Sequence, residues 1–117
     1  MALRESLFGV HGTALALRSQ RLSILASNIA NAATPGYRAR DIDFDRALEL
    51  AGRGFSSEEA ADGSVAYRVP VTPSLDGNTV ELSTEQTLFA ENAVQYRTTL
   101  SFLEGRINTI KRALKGE

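Results

Sequence analysis

From Phe89 onward, apolar residues recur at alternating steps of four and three: Phe89, Ala93, Tyr96, Leu100, Leu103, Ile107, Ile110 and Leu114. Leu82, seven residues before Phe89, extends the register backwards. Such spacing keeps one stripe of a helix turned toward a partner, the pattern of a left-handed coiled coil. It predicts a helix from Ser83 to about Leu114, with Ser83 as N-cap and Gln86 completing a capping box. At about 1.5 Å per residue the helix is on the order of 45–50 Å long. Gly105 is its one weak interior position. Lys111, Arg112 and Lys115 suit the negative end of its dipole. A stripe of this length constrains everything else, because another helix has to be laid along it.

The other end of the chain supplies a candidate. Residues 1 to about 33 read as a second long helix, with Leu3, Leu7, Val10, Ala14, Leu17 and Ile24 in a similar rhythm that Arg21 interrupts. A second stripe, Leu15, Leu22, Leu25 and Ile29, lies on an adjacent face. Gly9 and Gly12 each weaken the first turns by about 1 kcal/mol relative to Ala. The predicted fold is mainly α: residues 1–34 and 82–117 pack as an antiparallel coiled-coil hairpin and form one core domain. Residues 35–81 form an extended, irregular central segment with room for a short β element. A two-helix hairpin cannot bury two broad stripes, so Val94, Phe102 and the second stripe of the first helix are left for an interface.

Between the helices, Thr34-Pro35-Gly36-Tyr37 reads as a type II turn. Pro35 presets φ at its second position, and Gly36 accepts the positive φ required next. Pro35 also disfavours helix at Thr34, which ends the first helix at or before Ala33. Asn28 and Asn31 sit on its last turns, where their amides can bond freed carbonyls or a neighbouring chain. Asp41, Asp43 and Asp45 alternate with Ile42 and Phe44. The spacing mimics a calcium loop, but Arg46 and Gly52 stand where Gly and Glu are needed. An extended piece with Ile42 and Phe44 tucked in and the acids solvated is the better reading, followed by a short helix toward Leu50. Residues 51–79 have linker composition, rich in Gly, Ser and Glu. Val65–Val69 is a lone strand, expected to be mobile or paired with another copy.

Asn28-Ile29-Ala30-Asn31, Thr34-Pro35-Gly36-Tyr37 and Arg38-Ala39-Arg40-Asp41-Ile42-Asp43-Phe44 together resemble the N-terminal signature of bacterial flagellar rod and hook axial proteins. The continuation from Arg38 to Phe44, the short chain and Asp76-Gly77-Asn78-Thr79-Val80 are most similar to the proximal rod members. Ala33 and Ser83 stand where this signature usually has Asp. The resemblance covers residues 1–50 and 74–115. It implies a structural subunit of the basal-body rod, self-assembling through its terminal helices into a helical tube that transmits torque. Implied partners are copies of itself, other rod proteins, the rod adaptor FliE, the inner-membrane ring and the type III export apparatus. It also implies a location on the periplasmic side of the inner membrane, reached without a cleaved signal peptide. The assembly interface would use Leu3, Leu7, Val10, Leu17, Ile24, Phe89, Tyr96, Leu100, Leu103, Ile107 and Ile110, with Asn28, Asn31, Thr34, Pro35, Gly36 and Tyr37 fixing the bend.

The residues alone leave a second reading open, a soluble helical-hairpin binding module such as a secretion chaperone or adaptor. Other classes are poorly served. The single His11 lacks catalytic company, no nucleophile elbow or phosphate loop occurs, and there is no Cys for thiolate metal sites. No catalytic, cofactor or metal site is expected, and no small-molecule substrate. A formal net charge of −1 gives no footprint for nucleic acid. The charge is unevenly spread: residues 1–40 carry +4, residues 41–92 carry −8 and residues 93–117 carry +3. No apolar run is long enough for a transmembrane helix.

Overall fold

The computed structural model describes residues 2–116, with side chains from Gly9 onward. In chain order they form helix α1 (Ala2–Ala30), strand β1 (Arg40–Ile42), helices α2 (Phe44–Gly52) and α3 (Ser57–Asp62), strand β2 (Val65–Tyr67) and helix α4 (Leu82–Lys115). α1 and α4 lie antiparallel: Asn28 meets Glu85, Arg18 meets Asn92, and His11 meets Phe102. The expected hairpin of long terminal helices is therefore present. The molecule measures 64 × 27 × 18 Å, with a radius of gyration of 17.3 Å. A compact chain of this length would have about 13 Å.

The seam on α4 is used differently from the expectation. Its buried residues are Glu85, Asn92 and Leu103, whereas Phe89, Ala93, Tyr96, Leu100 and Ile107 are half-buried. With 3.6 residues per turn, the buried line lies roughly 40–50° around the helix from the centre of the 4-3 stripe. One edge of the stripe meets α1 and the other edge stays open. The start of α4 also differs. Glu81 occupies the N-cap without a side-chain bond, and Ser83 is exposed inside the first turn, so the Ser83–Gln86 capping box does not form. The reason is tertiary. The Thr79 N–H donates to the Tyr37 carbonyl and the Val80 N–H to the Asn78 Oδ1, which hold the chain extended up to Glu81.

The middle of the chain is more ordered than linker composition suggested. Ser56 accepts from the Glu59 N–H while the Glu59 carboxylate accepts from the Ser56 N–H, a reciprocal capping box that starts α3. Asp43 caps α2 by accepting from the Arg46 N–H. β2 is not a lone strand; it pairs antiparallel with β1 of the same chain, with Asp41 opposite Ala66. This small ladder folds α2 and α3 onto one flank of α1. The core there is Leu17, Ile42, Ala47, Ala60 and Ala61, with Ile24, Phe44, Leu48, Leu50 and Val65 packed around it. Alanine at 47, 60 and 61 lets both short helices approach closely. The other flank of the hairpin has no such cover among the described residues.

At Gly9, φ of 59° and ψ of −149° break helical geometry and kink α1. A Cβ there would meet nothing within 4 Å, so the demand for glycine is purely conformational. Gly9→Ala should straighten the helix, since the bent backbone costs a non-glycine residue about 1–3 kcal/mol. The first turns would then continue an existing helix instead of nucleating alone. Far-UV circular dichroism should show more helix in the variant; an unchanged spectrum would show that the kink has another cause.

Candidate assembly surface

Four segments meet at one buried polar cluster near the closed end of the hairpin. Asn28 of α1 is fully buried. Its Nδ2 donates to the Arg40 carbonyl at 2.6 Å and to Glu85 Oε2 at 2.9 Å, while its Oδ1 accepts from the Arg40 N–H at 3.1 Å. One side chain thereby holds both backbone groups of a β1 residue and a carboxylate of α4. Glu85, also fully buried, accepts from Arg68 Nε at 2.7 Å. Arg68 reaches on to Asp41 Oδ2 at 3.0 Å, and Asp41 receives a two-pronged Arg21 at 2.8 and 2.9 Å. The cluster is neutral, two guanidinium groups against two carboxylates, as burial requires. Burial by itself would raise the Asp41 carboxyl, but the Arg21 fork, the Ile42 N–H and Arg68 outweigh it and hold it below the usual range. The expectation that Asp41 is solvated is thus corrected: both Arg partners reach it at the root of β1.

The Thr34–Tyr37 turn is built as expected. Gly36 has φ of 75°, and the Tyr37 N–H donates to the Thr34 carbonyl at 3.2 Å. Asn31 Nδ2 donates to the Ser27 carbonyl, which also accepts the Asn31 N–H. The Tyr37 hydroxyl reaches Ser27 and Asn28. Asn78, which sequence reasoning placed only within the Asp76–Val80 stretch of family resemblance, completes the bend. Its Nδ2 donates to the carbonyls of Asn31, Ala32 and Thr34 at 2.7–3.1 Å. The Gly36 N–H donates to the Asp76 carbonyl, so the segment before α4 is sewn to the signature turn. All six signature residues sit at this bend, where they fix how the chain leaves α1.

The named interface residues divide. Leu3 and Leu7 lie outside the residues whose side chains are described. Leu17 is fully buried in the chain's own core and Leu103 is 6% exposed. Ile24, Phe89, Tyr96, Leu100 and Ile107 are half-buried, and Val10 and Ile110 are 60% and 43% exposed. Val94, Phe102 and Leu114 are also exposed. Two hollows follow the hairpin. One of about 420 Å³, on the flank without α2 and α3, is lined by Leu22, Ala93, Val94, Tyr96, Arg97 and Leu100. The other, of about 670 Å³, lies where α1, α4 and the α2–α3 connection meet. Leu22 and Ala93 were not among the expected interface residues, although Leu22 belonged to the second stripe of the first helix and Ala93 to the 4-3 register of α4.

Comparison with known proteins is consistent with this geometry. Residues 8–38, which span most of α1 and the signature turn, match a family model described as "Flagella basal body rod protein". A flagellar basal body rod protein FlgB from Cereibacter sphaeroides (strain ATCC 17023) is 52% identical, over 93% of this chain and 94% of the relative. FlgB from Aeromonas hydrophila is 43% identical, over 97% and 96%. FlgB from Escherichia coli (strain K12) is 43% identical, over 87% and 88%.

Because the Asp41 carboxyl is held low, its share of stability is fully present above the unfolded value of about 3.9 and is lost as pH falls through the lower folded value. Below about pH 4 the cluster should loosen. Asp41→Asn should flatten the acid limb of a plot of melting temperature against pH. Asp41→Ala, which strands Arg21, should cost about 2–4 kcal/mol near neutrality. Parallel acid limbs in the parent and Asp41→Asn would remove Asp41 as the titrating group.

Proposed function

Because the chain belongs to the FlgB family of flagellar basal body rod proteins, we propose how its surfaces serve a rod subunit. It is a structural component of the basal-body rod. The soluble binding-module reading finds no support among the relatives, whose names all denote the rod. In our reading residues 1–34 and 82–117 act as one core unit that packs against copies of itself and against other rod proteins. Residues 35–81 brace that unit from one flank.

The observation that carries this reading is the apolar surface left open after the hairpin has formed. Val10, Val94, Phe102 and Leu114 remain 60%, 65%, 49% and 83% exposed. Together with the open edge of the α4 stripe they leave apolar groups exposed at several points along an elongated molecule, and exposed apolar surface of this kind marks interfaces. Side-by-side packing of such surfaces at interior density would give a tube that deforms little, as torque transmission requires. Residues buried in the chain, Leu17 and Leu103, hold the hairpin together; the half-buried and exposed ones meet neighbours. FliE, the inner-membrane ring and the export apparatus complete the partner set in this reading, with export through that apparatus without a cleaved signal. No described helix is long and apolar enough to cross a membrane.

Val94→Asp separates assembly from folding. An exposed site should tolerate the change within about 0.5 kcal/mol, while the assembled fraction in sedimentation falls steeply and motility is lost. Export should persist, since an unfolded chain in transit has no stripe to disrupt. Leu103→Asp, by contrast, should fail in both folding and assembly. A Val94→Asp protein that assembles like its parent would exclude the open flank as an interface.

A further inference from the structure

The larger hollow has a matching shape and charge elsewhere on the same molecule. Gly9, Gly12, Thr13 and Ala16 of α1 are small, and they leave a trough beside Leu100, Leu103 and Ile107 of α4. Phe55, 47% exposed, forms part of its third wall. The two helices that this wall joins, α2 and α3, carry an excess of acids beyond the lining itself. Asp43, Asp45, Glu49, Glu58, Glu59 and Asp62 are all exposed on and around α2 and α3, against Arg46 and Arg53, and Arg53 is engaged with Glu49. Glu104 adds a carboxylate to the lining.

Beyond the trough, α4 continues past Ile107 to Lys115. This tip carries Ile110 and Leu114 on one stripe, 43% and 83% exposed. Around them stand Arg106, Lys111, Arg112 and Lys115, all exposed, with no acid from Gly105 to Gly116. The tip is a basic amphipathic helix end, and the hollow is an apolar groove with Glu104 in its lining and the acidic flank of α2 and α3 beside it. A straight helix cannot fold its own tip back into a groove that its preceding turns line. The complementary pair can therefore meet only between molecules.

We infer that the α4 tip of one copy docks in the α1–α4 hollow of the next, with Ile110 and Leu114 entering the trough and Lys111 and Lys115 facing Glu104 and the acidic flank of α2 and α3. This rests on the assembly reading above and adds to it which surface meets which. The contact is heterologous: the donating and receiving patches differ, so each copy receives one tip and offers another. Repetition of such a contact gives a ring or an open helical array. It also accounts for the split charge, since basic tips and acidic flanks attract between copies and orient the encounter.

The chain has no Cys, which makes cross-linking clean. Phe55→Cys and Leu114→Cys proteins, each made separately at an exposed position, should form a disulfide-linked dimer only when mixed under assembling conditions. Lys111→Glu/Lys115→Glu should lower the assembled fraction at fixed concentration about tenfold, corresponding to about 1.4 kcal/mol. Adding Glu58→Lys/Glu104→Lys to the same chain should restore it. Oligomers that form without the 55–114 link, or that link Leu114→Cys to itself or Phe55→Cys to a Val71→Cys chain, would overturn the docking and leave the assembly reading standing. A parent protein that stays monomeric at every concentration by sedimentation would overturn both.

Discussion

The Asn28–Glu85 bond and the ion pairs behind it fix the relation between the two terminal helices. A buried carboxylate and a buried amide are expensive to remove from water unless fully partnered. Here the partners come from separate segments: Arg68 follows β2, Asp41 and the Arg40 backbone come from β1, and Arg21 and Asn28 come from α1. Shifting α4 by one residue along α1 would carry Glu85 away from both Asn28 and Arg68. An apolar seam would tolerate that slip far better, because one leucine contact resembles another. Buried polar groups of this kind add little net stability, and register is their best-attested use. The cluster sets the register of the hairpin at its closed end.

The opposite half of the hairpin has a different character. From Leu15 to Gly9 on α1 and from Leu100 outward on α4, the contacts are apolar and small residues leave a hollow. The polar end determines the pairing within the chain, and the apolar end remains incomplete. That division suits a subunit of a tube. Internal register is decided before neighbours arrive, while the surfaces that neighbours cover are not closed prematurely. The Gly9 kink lies at the same incomplete end, where the chain's own helices do not constrain it.

Both long helices, the type II turn and the short α2 were legible because periodicity and turn chemistry are local. Burial of Glu85 and Asn92 was not, because nothing in the spacing of polar residues on α4 separates them from solvated Glu91 or Gln95. Their partners, Arg68 and the Arg18 carbonyl, are distant in sequence. Asn78 was invisible for the same reason; a three-carbonyl clasp depends on where the Asn31–Thr34 turn has been placed. Helix α3 is a different lesson. Ser56 and Glu59 stand at capping-box spacing, but Gly52, Gly54 and Gly63 around them gave the stretch the composition of a linker. At Ser83 the same motif misled, because the ladder from Tyr37 to Thr79 decides where the chain may turn into helix. A capping box is a local preference, and tertiary hydrogen bonds override it.

The central segment links these observations to the rod. By folding onto one flank of α1, α2 and α3 cover Leu17 and Ile24 and leave the other edge of the α4 stripe open. The hairpin therefore has one covered side and one apolar side. A helix pair apolar on both sides could associate in many relative orientations, whereas one shielded side restricts how copies pack. The carboxylates of α2 and α3 sharpen that restriction, since they face outward and repel the same flank of another copy. The short elements that look dispensable beside two long helices thus limit the directions in which the long ones can associate.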